Sequence, residues 1–235
     1  MRKQKMGHLI TIEAPDASGK ATQTALLCEA LKNAGYECFK FSFPNYGRPA
    51  CKPVELYLSG ALGSKPEDTG AYAASAFFAV DRYFSYRTEW KELYLKPNTV
   101  IVLDRYTTSN AVHQIEKLPK DEWDAYLSWL YDFEFVKLGL PVPDITISLD
   151  VPPEVSEKLL KKRAAEQNRP ADIHEADKPY LEKCYAAAKY AADKWGWVRI
   201  ECCTPDGNMK SREEIHSLIY KQVTEKCLNK TKEVK

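Results

Sequence analysis

The chain has 235 residues, 44% of them apolar and 29% charged, a balance that supports a folded core and excludes disordered and fibrous classes. A net charge of +1 gives no bulk field toward nucleic acid or an acidic membrane, so any anion must be held by a local site. The seven cysteines (Cys28, Cys38, Cys51, Cys184, Cys202, Cys203 and Cys227) include no Cys-x-x-Cys, which yields neither a zinc spacing nor a disulfide framework and fits a reducing cytoplasm.

Residues 1–6 and 226–235 are basic and read as solvated tails. His8–Glu13 is apolar and β-prone and breaks at Ala14-Pro15. A helical pattern follows from about Lys20, with Leu27, Ala30, Leu31 and Ala34 on one face and Gly35 as its stop. Alternating Phe39, Phe41 and Phe43 predict a second strand ending at Pro44. Helical stretches follow at about 53–60 and 69–94. The continuous run Val100-Ile101-Val102-Leu103 suits a central parallel strand buried on both faces. Residues 121–138 read as helix, and Ile145, Ile147 and Leu149 as a strand halted by Pro152-Pro153. Helices at about 154–165 and 179–194 precede a last strand at 198–202, and Ser211-x-x-Glu214 is a capping box that opens the final helix.

No run approaches the ~18 apolar residues of a membrane span. The βαβα order predicts one α/β domain over residues 1–235, a five-stranded parallel sheet with helices on both faces. Three polar segments, 16–22, 44–46 and 104–110, each follow a strand. They are expected to meet at one edge of the sheet, the carboxyl ends of the strands.

The first of these segments, Asp16-Ala17-Ser18-Gly19-Lys20-Ala21-Thr22, lies between strand and helix. A tight turn into a helix aims unpaired N–H groups at an anion, Gly19 lets the backbone approach closely, and Lys20 adds a mobile point charge. The stretch matches G-x-x-x-x-G-K-[ST] only at Gly19-Lys20, because Ala14 replaces the first glycine and Ala21 the hydroxyl that would ligate Mg²⁺. Thr22 is turned about 100° further round the helix and is no automatic substitute.

Five pieces in order then resemble the thymidylate kinase family over nearly the whole chain. They are Ile12-Glu13 through Asp16, Gly19-Lys20-Ala21-Thr22-Gln23; Phe43-Pro44-Asn45-Tyr46-Gly47; Phe78-Ala79-Val80-Asp81-Arg82; Asp104-Arg105-Tyr106-Thr107-Thr108-Ser109-Asn110; and Gly139-Leu140-Pro141-x-Pro143-Asp144. The resemblance implies transfer of the γ-phosphoryl group of ATP to dTMP, with Mg²⁺ accompanying ATP and a homodimer as the working form. Residues 16–22 would bind ATP, Asp16 also meeting the dTMP sugar and the magnesium shell. Arg105 is similar to the arginine that clamps the acceptor phosphate, and a planar five-donor fork suits that task. Asp104 resembles the acid beside the transfer centre, ordering metal-bound water or holding Arg105.

On the same resemblance Phe78 stacks on thymine and Arg82, four residues on, donates to a thymine carbonyl, with Phe77 as the neighbouring core residue. Asn110 reads the pyrimidine edge, offering both donor and acceptor, with Ser109 beside it. Phe43, Pro44 and Tyr46 line the sugar and phosphate, and Asn45 departs from a charged position. A charged lid at 162–177, broken by Pro170, would close over the phosphates. Ala17 stands where some relatives carry a loop arginine, which leaves Arg163 and Arg169 as the lid's catalytic candidates. His174 would face the sugar and Glu175 assist the metal. The alternatives are a kinase of another deoxynucleotide or deoxynucleoside, or a nucleotide-binding protein without catalysis.

Overall fold

A computed structural model describes residues 6–16, 18–167 and 178–229. Five strands form one sheet in the order β2-β3-β1-β4-β5: β1 (His8–Glu13), β2 (Glu37–Ser42), β3 (Thr99–Asp104), β4 (Ile145–Asp150) and β5 (Val198–Glu201). All four pairings are parallel, as the alternation of strand and helix patterns predicts. β3 is buried at every position and β1 at all but its first, which is why both read as apolar runs rather than alternating ones.

The helices in chain order are α1 (Lys20–Asn33), α2 (Lys52–Leu58), α3 (Ala71–Ser85), α4 (Lys91–Tyr94), α5 (Thr107–His113), α6 (Trp123–Tyr131), α7 (Pro153–Gln167), α8 (Lys178–Trp195) and α9 (Arg212–Val223). Ile10, Ile12, Val100 and Val102 face one layer, where Leu27 and Leu31 of α1 meet Ile215, Ile219 and Val223 of α9. Leu9, Ile101 and Leu103 point the other way, toward Trp90, Tyr94 and Tyr106. Burying each such large apolar side chain contributes about 1.5–3 kcal/mol. Helices α5, α6 and α8 close a further cluster around Tyr126, Leu130, Tyr180 and Ala187.

Several boundaries differ from the periodicity. The long helical pattern over 69–94 is α3 and α4 joined by a wider turn, Tyr86–Trp90. The pattern over 121–138 is α6 followed by a similar turn, Asp132–Lys137. Such turns carry one extra residue and so re-aim the side chains that follow by about 100° round the helix. The first delivers Trp90 to the core at 0% exposure. Strand β2 stops at Ser42, so Phe43 lies just past it. The polar segment after Asp104 is not all loop, since α5 begins at Thr107. The capping box is formed as expected, with Glu214 N–H donating to Ser211 Oγ at 3.1 Å and Ser211 N–H to Glu214 Oε2 at 2.8 Å.

The strand order fixes where chemistry can occur. The connection leaving β1 crosses to β2 and the one leaving β3 crosses the opposite way to β4, yet β1 and β3 are neighbours. Their carboxyl ends therefore flank the switch-point crevice of the sheet. Ile12 pairs with Asp104 across it, and Ser42 of β2 with Asp104 on the far side.

Candidate active site

The first wall of the crevice is the turn from β1 into α1. Gly19 caps α1 at φ 87°, a left-handed conformation that any other side chain would strain. A Cβ there would meet nothing within 4 Å, so the requirement is conformational rather than spatial. The turn holds its shape through Ser18 Oγ donating to the Pro15 carbonyl at 2.6 Å. The Lys20 ammonium donates to the Ala14 carbonyl at 3.2 Å and lies 4.0 Å from Asp16. Burial and the neighbouring Arg105 charge push the Lys20 pKa down, outweighing Asp16, Asp104 and Glu13. Ala21 and Thr22 are both exposed on α1. Ala17 lies outside the described residues.

The second wall is the end of β3. Arg105 has φ 68°, an unusual conformation for a residue with a Cβ, of the kind that clusters at functional sites. Its N–H donates to the Ile12 carbonyl at 3.1 Å, which continues the sheet by one step while the side chain swings across β1. There the guanidinium donates to the Asp16 carboxylate, to Glu13 at 3.3 Å and to Ser109 Oγ at 3.4 Å, and meets His113 Nε2 at 3.0 Å. Burial raises the Asp16 carboxyl, but the Arg105 and Lys20 charges more than reverse that and hold it well below the usual carboxylate range. Asp16 and Arg105, both predicted from sequence, thus form one ion pair across the crevice.

Asp104 is 9% exposed at the last position of β3. Among the described residues no hydrogen-bond donor reaches its carboxylate. Burial raises its pKa by more than Lys20 and Arg105 lower it. A sheltered acid with spare acceptor capacity, facing two cations, is suited to a hydrated divalent ion.

Glu13 organises these residues although no role follows for it from the sequence. At 2% exposure it accepts from Ala14 N–H at 3.1 Å, Thr108 Oγ1 at 3.1 Å and Ser109 Oγ at 2.5 Å, besides Arg105. The one available signal is an acid closing an otherwise apolar strand, since a buried carboxylate needs partners.

A second buried acid, Glu134, governs the pyrimidine-side candidates. Arg82 is 1% exposed and turns inward, donating to Glu134 at 2.8 and 2.5 Å and to the Tyr106 carbonyl at 3.3 Å. Thr107 Oγ1 donates to the same carboxylate at 2.7 Å and Asn110 Nδ2 at 3.3 Å. Asn110 Nδ2 also reaches the Ser75 carbonyl at 3.2 Å. Arg82 lies four residues beyond Phe78 on α3, its guanidinium held against Glu134. Three of its donor contacts are committed inside the protein, because a buried guanidinium requires a buried counter-charge. Phe78 is half-buried, its ring edge-on to Tyr57 at 6.1 Å. Glu134 sits between Phe133 and Phe135 in the sequence, a setting that disguises it as an accidental charge in a core segment.

The third wall follows β2. Phe43 is buried against Tyr106, with ring centroids 6.2 Å apart, and its N–H donates to the Asp104 carbonyl at 3.0 Å. Pro44 follows through a cis peptide bond. Asn45 N–H donates to Asp81 at 2.8 Å and its amide to Glu89 at 2.9 Å, so Asn45 is fixed by α3 and the turn beyond it. Tyr46 is 57% exposed. The three polar segments do converge, as predicted. His113 joins them unforeseen, its Nδ1 lying 3.2 Å from the Tyr180 hydroxyl of α8. The lid candidates Arg169, His174 and Glu175 lie outside the described residues, and Arg163 is placed only as part of α7.

Comparison with known proteins agrees with this arrangement. The family model described as thymidylate kinase matches residues 12–227. The thymidylate kinase of Mycobacterium tuberculosis is 31% identical over 206 residues, covering 86% of this chain and 94% of its own. That of Plasmodium falciparum is 29% identical over 224 residues, covering 94% and 91%. A solved structure of thymidylate kinase from Candida albicans superposes with a TM-score of 0.66 over 94% of this chain and 92% of that one, at 19% identity, a likeness of fold. The chain, by its sequence match over most of its length, belongs to the thymidylate kinase family.

Proposed function

We propose that the protein transfers the γ-phosphoryl group of ATP to dTMP, giving dTDP and ADP. A phosphate oxygen of dTMP attacks the γ-phosphorus, the bond to the β,γ-bridging oxygen breaks, and ADP departs. The observation that carries this reading is the Arg105 guanidinium, held at the switch point by Asp16, Glu13, Ser109 and His113 and facing the Lys20 turn. Phosphoryl transfer needs positioning and charge compensation more than covalent help. Lys20 and the amides of residues 16–22 hold the ATP phosphates, and Arg105 aims the acceptor phosphate.

The pyrimidine lies against Phe78 and Asn110, with Arg82 at its edge through the donors that Glu134 and Tyr106 leave over. Phe43, Pro44 and Tyr46 border the sugar, with Ser109 behind Arg105. Arg163 and Arg169 of the lid meet charge on the transferring group, and His174 reaches the sugar, on the family resemblance.

Mg²⁺ neutralises phosphate charge when bound with ATP. With Asp16 committed to Arg105 and no hydroxyl at Ala21, Asp104 is the residue best suited to its hydration shell, assisted by Glu175. Among the described residues no helix is long and apolar enough to cross a membrane. A cytoplasmic homodimer acting on free nucleotides is supported by the absence of disulfides among the described cysteines and by exposed Leu56, Val80 and Phe84 on α2 and α3.

A coupled ADP-release assay over dTMP, dUMP, dGMP and thymidine tests the function. dTMP should turn over fastest and thymidine not at all. Arg105→Ala should lower kcat/KM for dTMP on the order of 10²-fold or more while leaving ATP binding nearly intact. ATP binding without turnover of any acceptor would sink the kinase reading.

A further inference from the structure

The opposite edge of the sheet carries a second cluster of chemistry-bearing side chains. His8 opens β1, Asp144 immediately precedes β4, and Cys227 lies in the turn Thr224–Leu228 that ends the described chain's last helix. At about 3.3 Å per residue the length of β1 separates this cluster from Glu13 by roughly 16 Å. The nucleotide crevice plays no part in it.

One ligand atom from each of the three residues lies within 4.8 Å of the other two. His8 Nδ1 is 3.5 Å from Cys227 Sγ and 3.9 Å from Asp144 Oδ2. Zinc bonds of about 2.0–2.3 Å arranged tetrahedrally give ligand–ligand edges of roughly 3.3–3.8 Å. The His8–Cys227 separation lies within that range and the His8–Asp144 one just beyond it, so a small movement of the His8 ring toward a fixed Asp144 completes one face of a tetrahedron.

The surroundings favour the same use. Asp144 is locked to β1 twice: its N–H donates to the Leu9 carbonyl at 2.8 Å and its Oδ2 accepts from Leu9 N–H at 2.8 Å. That second bond orients the carboxylate as an outer partner orients a metal ligand. Cys227 is 6% exposed, which shelters a thiolate, while the Asp144 side chain is 44% exposed and leaves an open approach. We propose that His8, Asp144 and Cys227 form a site for a zinc-type divalent metal, with water in the fourth position.

The set is one sulfur, one imidazole nitrogen and one carboxylate oxygen. It suits Zn²⁺ or Co²⁺ and not Mg²⁺ or Ca²⁺, which prefer oxygen throughout. Binding releases the thiol proton to solvent and takes the lone pair of neutral Nδ1, so affinity falls as pH drops. A bound ion ties the C-terminal turn to the starts of β1 and β4, three segments far apart in sequence. For that reason no ligand spacing announces it.

The test uses the full chain, stripped with chelator and titrated with Co²⁺ and then Zn²⁺. The expected result is one Co²⁺ per chain with a thiolate-to-cobalt absorption band, displaced by Zn²⁺, and a Tm that rises with Zn²⁺ concentration. Cys227→Ser should abolish the band. His8→Gln and Asp144→Asn should each weaken Co²⁺ binding by at least about tenfold and remove the Zn²⁺ effect on Tm, with circular dichroism showing an intact fold. If Cys227→Ser does not fold, the other two variants decide. No thiolate band in the wild-type chain would overturn the proposal. So would a band that survives Cys227→Ser, or affinity unchanged in both His8→Gln and Asp144→Asn.

Discussion

At the scale of the residue, the crevice is a problem of charge balance. Lys20 and Arg105 lie among the acids Asp16, Glu13 and Asp104, and all of these side chains are buried or half-buried. Asp16 gains from this, since the cations hold it ionised. Asp104 loses, because burial raises its pKa beyond what Lys20 and Arg105 restore. The sign of the stability effect follows. As pH climbs past the ordinary carboxylate range near about 4, the unfolded chain releases the Asp104 proton before the folded one does. The Asp104 contribution to stability therefore falls with rising pH until the raised folded pKa is passed, and stays lower at neutrality. Asp104→Asn should raise Tm at pH 7 by more than at pH 4, while cutting kcat on the order of 10²-fold. Scanning thermal unfolding across pH beside steady-state kinetics checks both. A variant less stable than wild type at pH 7 would show that Asp104 is structural.

At the scale of the element, Glu134 is the joint between α3, α5 and the turn that follows α6. It accepts from Arg82, Thr107 and Asn110 at 0% exposure. Removing one partner of a buried ion pair strands the other in low dielectric, at about 3–5 kcal/mol. Glu134→Ala should therefore lose about that much in urea unfolding, and KM for dTMP should rise because Asn110 and Arg82 lose their anchor. A loss under about 1 kcal/mol would mean that the Arg82 charge finds water or another acceptor. The two wider helical turns, Tyr86–Trp90 and Asp132–Lys137, are related features. The second carries Glu134, so the buried acid and the irregular turn occur together.

At the scale of the whole molecule, the exposed apolar side chains of α2 and α3 predict association. Phe84 is 54% exposed and Val80 43%, one helical turn apart on α3. Phe84→Glu should weaken dimerisation at least about tenfold in sedimentation experiments, since charge is depleted from interface cores; a wild-type chain that sediments as a monomer would refute the homodimer. The sequence by itself determined the sheet, the order of its elements and the segments that converge. Apolar periodicity and strand-ending polar residues are local, and right-handed crossovers leave few ways to assemble them. It also marked Asp16, Lys20, Asp104 and Arg105 as candidates, in the turn from β1 into α1 and at the end of β3. Only the tertiary structure decided that Glu13 and Glu134 organise the crevice, that Arg82 faces inward, and that His8, Asp144 and Cys227 meet. Those outcomes depend on which distant groups share one low-dielectric space, and burial and pairing between residues from 24 to 219 positions apart leave no trace in local spacing.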